Sequence, residues 1–229
     1  TRNRLHLLSF GLSYWLDDKA RLTGTVYHRS NRVKTLNGDA NDAFEGDAAL
    51  DGDAGANGGL GFNTDTAASN RTATDQRGWG GALQWSRIDD NNHVAFGLTG
   101  DFSRSSFQQT TELGIFDSQR GVIAAAAGEA LNNRLNGKSR SWSLFATDTY
   151  KPWTDLAITT SLRLNQTRVT TKDELRAAAP NLDGDQLYTK LNPAIGANWT
   201  VAPGFSVFAN AAQGNRAPSP IELGCADRA

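Results

Sequence analysis

The chain has 229 residues, enough for one large β domain or two ordinary domains. Its formal net charge of -1 gives no electrostatic argument for nucleic-acid binding, and its mean hydropathy is -0.48. No apolar run approaches the roughly 18–20 residues of a membrane helix, which excludes a helical membrane protein. These values do not exclude a membrane β-barrel, because barrel strands alternate lipid-facing and lumen-facing residues and can be polar on average. The chain lacks Met and a basic-then-apolar leader, which predicts an excised or processed segment.

The dominant hydrophobic period is two, which is typical of β-strands. In the first strand, Leu8, Phe10 and Leu12 alternate with Ser9 and Gly11. The same alternation recurs along the chain and predicts eight antiparallel strands. In chain order they cover 8–16, 21–29, 78–86, 94–102, 141–150, 158–165, 191–199 and 205–212.

The predicted connections alternate between short and long. Four are tight turns rich in Asp, Asn, Pro or Gly, at 17–20, 89–92, 151–155 and 201–204. Between them the alternation lapses at about 31–75, 106–139 and 169–187. We interpret these as long loops of roughly 45, 35 and 20 residues, which are uncommon in compact domains. Short turns at one end and long loops at the other favour an outer-membrane barrel, with short periplasmic turns and long extracellular loops.

The six tryptophans lie at predicted strand ends or turns, whereas a sandwich core would place some of them mid-strand. Indole favours the headgroup level of a membrane, so two such levels predict the aromatic girdles of a barrel. Trp15 departs from this pattern, because its parity is that of the lumen face. The predicted interface aromatics are Tyr14, Trp79, Trp85, Trp142, Tyr150, Trp153 and Trp199.

The inward-facing positions are mostly small and polar, which favours a wide barrel that encloses water or a plug. Eight strands cannot close a wide barrel, so the chain is predicted to be part of a larger sheet. A closed eight-stranded barrel, or a soluble lipocalin-like one, is the alternative.

The stretch "GNRAPSPIEL" at 214–223 resembles the Gly-aromatic-Arg-Ala-Pro-x-x-x-Glu-Leu segment of TonB-dependent outer-membrane receptors, with Asn215 in place of the usual aromatic. The hairpin before it, at 188–213, is similar to the one that precedes this segment in the family. A weaker likeness covers 31–46. The matching positions of the segment are Gly214, Arg216, Ala217, Pro218, Glu222 and Leu223.

The resemblance implies that residues 1–229 form about eight strands of a 22-stranded barrel, without its plug domain and closing strands. It also implies that the protein lies in the bacterial outer membrane, in contact with lipid. TonB would act on the plug to drive transport, and the transported nutrient would be a compound such as a ferric siderophore. Some relatives carry a second cysteine shortly after a Gly-Cys-Ala-Asp sequence. Whether the single cysteine, Cys225, forms a disulfide with such a partner is left open.

We find no catalytic constellation, no cofactor motif and no zinc spacing, so the chain is not predicted to be an enzyme. The acidic stretch "DGDAGANGG" lies in the lapse at 31–75 and allows a calcium site or a solvated loop, but it fails the EF-hand template. Ligand capture is expected at the extracellular mouth, where cations suit an anionic siderophore complex. The candidates are Arg29, Arg32, Lys34, Arg120, Arg134, Arg168 and Arg216. The alternative functions are a passive porin or small barrel, and a soluble β-sandwich that binds a ligand.

Overall fold

A computed structural model of the chain describes residues 1–41, 67–119, 121–175 and 182–225. Eight strands form one antiparallel sheet in which each strand pairs with the next along the chain, from β1 at one edge to β8 at the other. The prediction of an all-β, antiparallel fold is therefore confirmed. The strands are β1 (Arg2–Trp15), β2 (Ala20–Ala40), β3 (Ala67–Ile88), β4 (Asn92–Phe116), β5 (Val122–Trp153), β6 (Leu156–Asp173), β7 (Gly184–Ala202) and β8 (Phe205–Ala212), followed by a short helix α1 (Pro220–Cys225).

The four tight turns are where the sequence predicts them. In the first, Asp17 accepts hydrogen bonds from the backbone N–H groups of Lys19 and Ala20, both at 2.7 Å. This is the local side-chain bonding that favours Asp in turns. In the last, Gly204 has φ of 80°, a left-handed conformation that glycine adopts without steric cost.

The predicted long loops are shorter than expected, because the strands continue into all three lapses and through most of the lapse at 106–139. β4 and β5 extend to Phe116 and from Val122, so the connection between them is only 117–121. The alternation lapses there because both faces of the sheet carry polar side chains, as expected where neither face packs against an apolar layer. Only residues 41–66 connect β2 and β3, and most of that range lies outside the described residues.

The register separates the two faces of the sheet. Leu83, Leu98 and Leu144 lie side by side on adjacent strands, and this face also carries Leu8, Phe10 and Leu12. We call it the outer face. The opposite, inner face carries neighbours such as Thr99 and Ser143.

Exposure on the two faces is the reverse of that in a water-soluble sheet. Leu144 on the outer face is 60% exposed, whereas Ser143 on the inner face is only 8% exposed. Large apolar side chains stand uncovered while small polar ones are shielded by their neighbours. A contiguous uncovered apolar band of this size marks an interaction surface, and a lipid-facing wall fits its extent.

Two tryptophans differ from the predicted placement at strand ends. Because β3 and β5 continue far past them, Trp79 and Trp142 lie within their strands, at the limit of the apolar band. Trp15 has inner-face parity, as the sequence indicates, and the guanidinium of Arg21 lies 5.4 Å from its ring centroid.

The described residues contain no helix that is both long and apolar enough to cross a bilayer.

Candidate functional site: the inner wall and the 213–225 segment

The inner face is a wall of hydroxyl, amide and charged groups that bond across the strands. Arg163 on β6 donates to Ser143 Oγ at 3.1 Å and to Asn165 Oδ1 at 2.9 Å. Its guanidinium also lies 5.9 Å from the ring centroid of Phe145. Arg163 was not among the candidate site residues predicted from the sequence, although it is the one charged residue of the strand predicted at 158–165. Its isolation among small polar residues was the available signal.

A second charged cluster lies on the inner face of β2 and β4. The Tyr27 hydroxyl donates to Asp101 Oδ2, and Arg29 Nη2 lies 3.7 Å from Asp101 Oδ1. Gly80 lies between them on β3, and a Cβ there would approach the Tyr27 hydroxyl to 2.6 Å. The glycine therefore leaves room for the tyrosine to cross a whole strand.

The inner face also holds unsatisfied hydrogen-bonding capacity. In the described part of the chain, five side chains have a buried polar atom without a partner, and the register places all five on the inner face. Such buried atoms cost roughly 1–3 kcal/mol each. The residues are Arg21, Arg29, Asn31, Asn133 and Asn192.

The segment after β8 is held in shape by its own side chains. Arg216 donates two parallel hydrogen bonds to Glu222, with Nη1 to Oε2 at 2.9 Å and Nη2 to Oε1 at 2.7 Å. Ser219 and Glu222 form a reciprocal capping box at the start of α1, and Pro220 occupies the first helical position. These bonds, the one from Arg216 above all, lower the pKa of the Glu222 carboxyl to about 2.

This segment lies against the inner face rather than leading away from the sheet. A Cβ on Gly137 of β5 would come within 2.1 Å of Pro220 Cβ, so only glycine fits beneath the proline. Asn192 of β7 donates to Asn215 Oδ1 at 2.9 Å, at the position where the resembling family has an aromatic residue. The family-like segment and the upper inner wall therefore form one surface. The helix was not predicted from the sequence, although Ser219, Pro220 and Glu222 form a recognisable helix-start pattern.

The predicted ligand-binding cations do not converge on one site. Arg29 faces inward, whereas Arg32, Lys34 and Arg168 have outer-face parity. Arg32 donates to Asp75 at 2.6 and 2.9 Å. Arg134 also has outer-face parity, Arg168 donates to Asp185 at 2.7 Å, and Arg216 is held by Glu222. Their role in ligand binding stays a prediction.

Several predicted positions lie outside the described residues, namely Arg120, the side chain of Cys225 and the acidic residues from Asp42 to Asp53. Among the described residues, no group of three or more His, Cys, Asp or Glu side chains could hold a metal ion.

Comparison with known proteins identifies the family. The family described as "TonB dependent receptor-like, beta-barrel" matches residues 1–226. No curated protein matches the chain.

Several solved structures share the fold. The ferric citrate transporter FecA in its unliganded form has a TM-score of 0.63 at 8% identity, over 91% of this chain and 27% of FecA. The copper transporter OprC has a TM-score of 0.60 at 15% identity, over 94% and 30%. The siderophore receptor PiuA from Acinetobacter baumannii has a TM-score of 0.62 at 12% identity, over 91% and 32%. The chain spans about a third or less of each of these proteins, and the match covers nearly all of its own length. The chain therefore belongs to the TonB-dependent receptor β-barrel family.

Proposed function

We propose that the chain forms part of the barrel wall and mouth of an outer-membrane receptor. The receptor takes up a scarce nutrient in a TonB-dependent manner, and the nutrient we propose is a ferric siderophore. Members of the family are transporters rather than enzymes. The observation that carries the proposal is the pairing of an uncovered apolar outer face with a hydrogen-bonded polar inner face. In this reading residues 1–229 are one portion of a larger barrel, and a longer polypeptide supplies the plug and the remaining strands.

The chemistry of the inner wall suits an anionic cargo. Arg29 and Arg163 face inward, and Arg216 is carried over the inner face by the 213–225 segment. Guanidinium groups bind carboxylate and similar oxygens with two parallel hydrogen bonds. The Arg29 side chain is partly exposed, and its guanidinium lies 3.7 Å from Asp101 Oδ1, so a ligand anion would compete with that carboxylate.

The structural neighbours bear on the class of cargo only by analogy. FecA is a ferric citrate transporter and PiuA is a siderophore receptor, whereas OprC is a copper transporter. One of the three is a ferric citrate transporter and another a siderophore receptor, and this favours an iron chelate as the cargo. A passive porin is the alternative that the experiment distinguishes from a TonB-dependent receptor.

The test uses the complete receptor in its native host. We expect uptake of a radiolabelled ferric siderophore under iron limitation, loss of that uptake when TonB is deleted, and partitioning of the protein into the detergent-soluble membrane fraction. Transport that persists without TonB would indicate a passive porin and contradict the proposal, and so would a protein that stays soluble without detergent.

A matched pair of variants tests the inner wall. Arg29→Gln removes an inward-facing cation of β2. Lys151→Gln removes a cation near the end of β5, beside the short turn that leads to β6. We expect the first to weaken ligand binding about tenfold, the effect of one lost charged hydrogen bond, and the second to leave it unchanged.

A further inference from the structure

A repeated arrangement of side chains occurs on the outer face, away from the inner wall. On three adjacent strands an aromatic residue is followed, two positions farther from the short turns and on the same face, by an arginine. The pairs are Trp79 and Arg77 on β3, Phe102 and Arg104 on β4, and Trp142 and Arg140 on β5.

The aromatic members form one cluster. Trp79 stacks on Phe102 with ring centroids 4.3 Å apart, and Phe102 meets Trp142 edge to face at 4.9 Å. Trp79 and Trp142 are more than half exposed, 59% and 53%, on the side that carries the apolar band. Exposed tryptophans at the limit of an apolar band mark the headgroup level of a bilayer.

Arg77, Arg104 and Lys138 lie one step beyond the row of Trp79 and Phe102, roughly 6–7 Å along the strand. The register sets Arg77 directly opposite Arg104, and Arg104 directly opposite Lys138. Like charges directly opposite each other on neighbouring strands are destabilising. Arg140 and Arg168 are likewise opposite each other in the neighbouring row, where Arg140 also lies opposite Phe102. We call Arg77, Arg104, Lys138 and Arg140 the basic belt.

The carboxylates nearby do not neutralise the belt. Arg104, Lys138 and Arg140 form no ion pair with any described residue. Asp185 is bound by Arg168, and Asp75 is bound by Arg32 and lies 3.4 Å from Arg77. All four belt side chains are exposed. A surface depression of about 670 Å³ lies between the belt and the aromatic cluster and is lined by residues of both.

We propose that the basic belt binds the phosphate groups of anionic lipid in the leaflet that surrounds this end of the barrel. The belt supplies three cations without partners, a depression for the headgroup, and an aromatic and apolar surface beside it for the sugar and acyl portions of a phosphorylated glycolipid. Clustered Lys and Arg at a membrane surface attract anionic headgroups, and Arg binds phosphate with two parallel hydrogen bonds. The inference rests on the proposed function only in requiring that the outer face lies in a membrane, and it is independent of the cargo.

The test compares two double variants of the complete receptor, purified in neutral detergent. Arg104→Gln with Lys138→Gln removes the cross-strand pair. Lys151→Gln with Lys190→Gln removes two lysines away from the belt, one near a short turn and one on the inner face. Native mass spectrometry follows titration with lipid A, which carries two phosphates, with dephosphorylated lipid A, and with inorganic phosphate as a competitor.

We expect the belt variant to bind lipid A at least tenfold more weakly than wild type, and the control variant to bind as wild type does. Dephosphorylated lipid A should bind all three weakly, and millimolar inorganic phosphate should not displace lipid A. Equal binding by the belt variant and wild type would overturn the proposal. Complete displacement by phosphate would show a free-anion site and would also overturn it.

Thermal unfolding gives a second readout that remains useful if the variant is altered in stability. Without lipid, the belt variant should unfold at a higher temperature than wild type, because like-charge repulsion is removed. Adding lipid A should raise the unfolding temperature of wild type more than that of the variant. An equal increase in both would contradict the proposal. Loss of siderophore uptake with lipid binding intact, or the reverse, separates the failure of one proposal from the failure of the other.

Discussion

Tyr27 on β2 reaches across the whole of β3 to donate its hydroxyl to Asp101 on β4. The strand between them carries Gly80 at the crossing point, so the ring lies over backbone instead of against a side chain. The contact ties three consecutive strands together on the inner face. The run "GWGG" at 78–81 is thus explained at one position by close approach, which is what glycine in a strand indicates.

Gly80→Ala should destabilise the barrel. The new Cβ would lie 2.6 Å from the Gly100 carbonyl oxygen and 2.6 Å from the Tyr27 hydroxyl, and the carbonyl belongs to the paired backbone and cannot rotate away. We expect a loss of about 1–3 kcal/mol in the free energy of unfolding, measured by urea titration of the complete barrel in lipid.

Gly196→Ala is the matched control, because its nearest neighbours would be 3.5 Å away, in ordinary contact. Adding Tyr27→Ser to Gly80→Ala should recover only part of the loss, since the clash with Gly100 remains. Full recovery would mean that the tyrosine alone requires the glycine.

The two faces of the sheet should differ in how much an introduced arginine destabilises the barrel. Leu98→Arg and Leu144→Arg, which place a charge in the apolar band of the outer face, should each cost about 2–4 kcal/mol in a lipid-embedded barrel. Thr99→Arg and Thr147→Arg should cost much less, because both threonines lie on the polar inner face. Equal penalties on the two faces in a folding titration would contradict the assignment of lipid and lumen sides.

Much of the fold was predictable because each strand has one apolar and one polar side where it crosses the band. Leu98 and Leu144 were placed on one face and Thr99 on the other from parity alone, and the register agrees. The strand ends were not predictable in the same way. Around Thr72 and Thr110 both faces are polar, so periodicity gives no signal although β pairing continues.

The candidate site was less predictable, because it depends on contacts between segments far apart in sequence. Nothing local to Gly137 indicates that Pro220 packs on it, and nothing local to Asn192 indicates Asn215. The faces of Arg32 and Lys34 could have been predicted by extending the parity of Val26 along β2. Treating 31–75 as a loop prevented that.

The packing of the 213–225 segment on the inner face can be tested by substituting a single residue, Gly137. Gly137→Ala would place a Cβ within 2.1 Å of Pro220 Cβ, so we expect α1 to leave the inner face while the sheet stays intact. Limited proteolysis of the complete receptor should then cut near 214–225 several times faster than in wild type. Gly214→Ala, where a Cβ would have no neighbour within 4 Å, should leave the cutting rate unchanged. Unchanged cutting in both variants would mean that the segment is not seated on β5.

The Arg216–Glu222 contact predicts how this segment responds to acid. The contact, together with the hydrogen bonds from Ser219, lowers the pKa of Glu222 from 4.5 to about 2, so the charged form is favoured in the folded state. The stabilisation it gives is therefore complete above pH 4.5 and is lost as the pH falls toward 2. The ¹³C shift of the Glu222 carboxyl carbon, measured in the selectively labelled receptor, should titrate with a midpoint near pH 2. Arg216→Gln should move that midpoint upward, because the guanidinium is the first cause of the shift, while Arg168→Gln should leave it in place. A wild-type midpoint near 4.5 would mean that the two side chains do not pair in solution, and the 213–225 segment would then lack the contact that holds its shape.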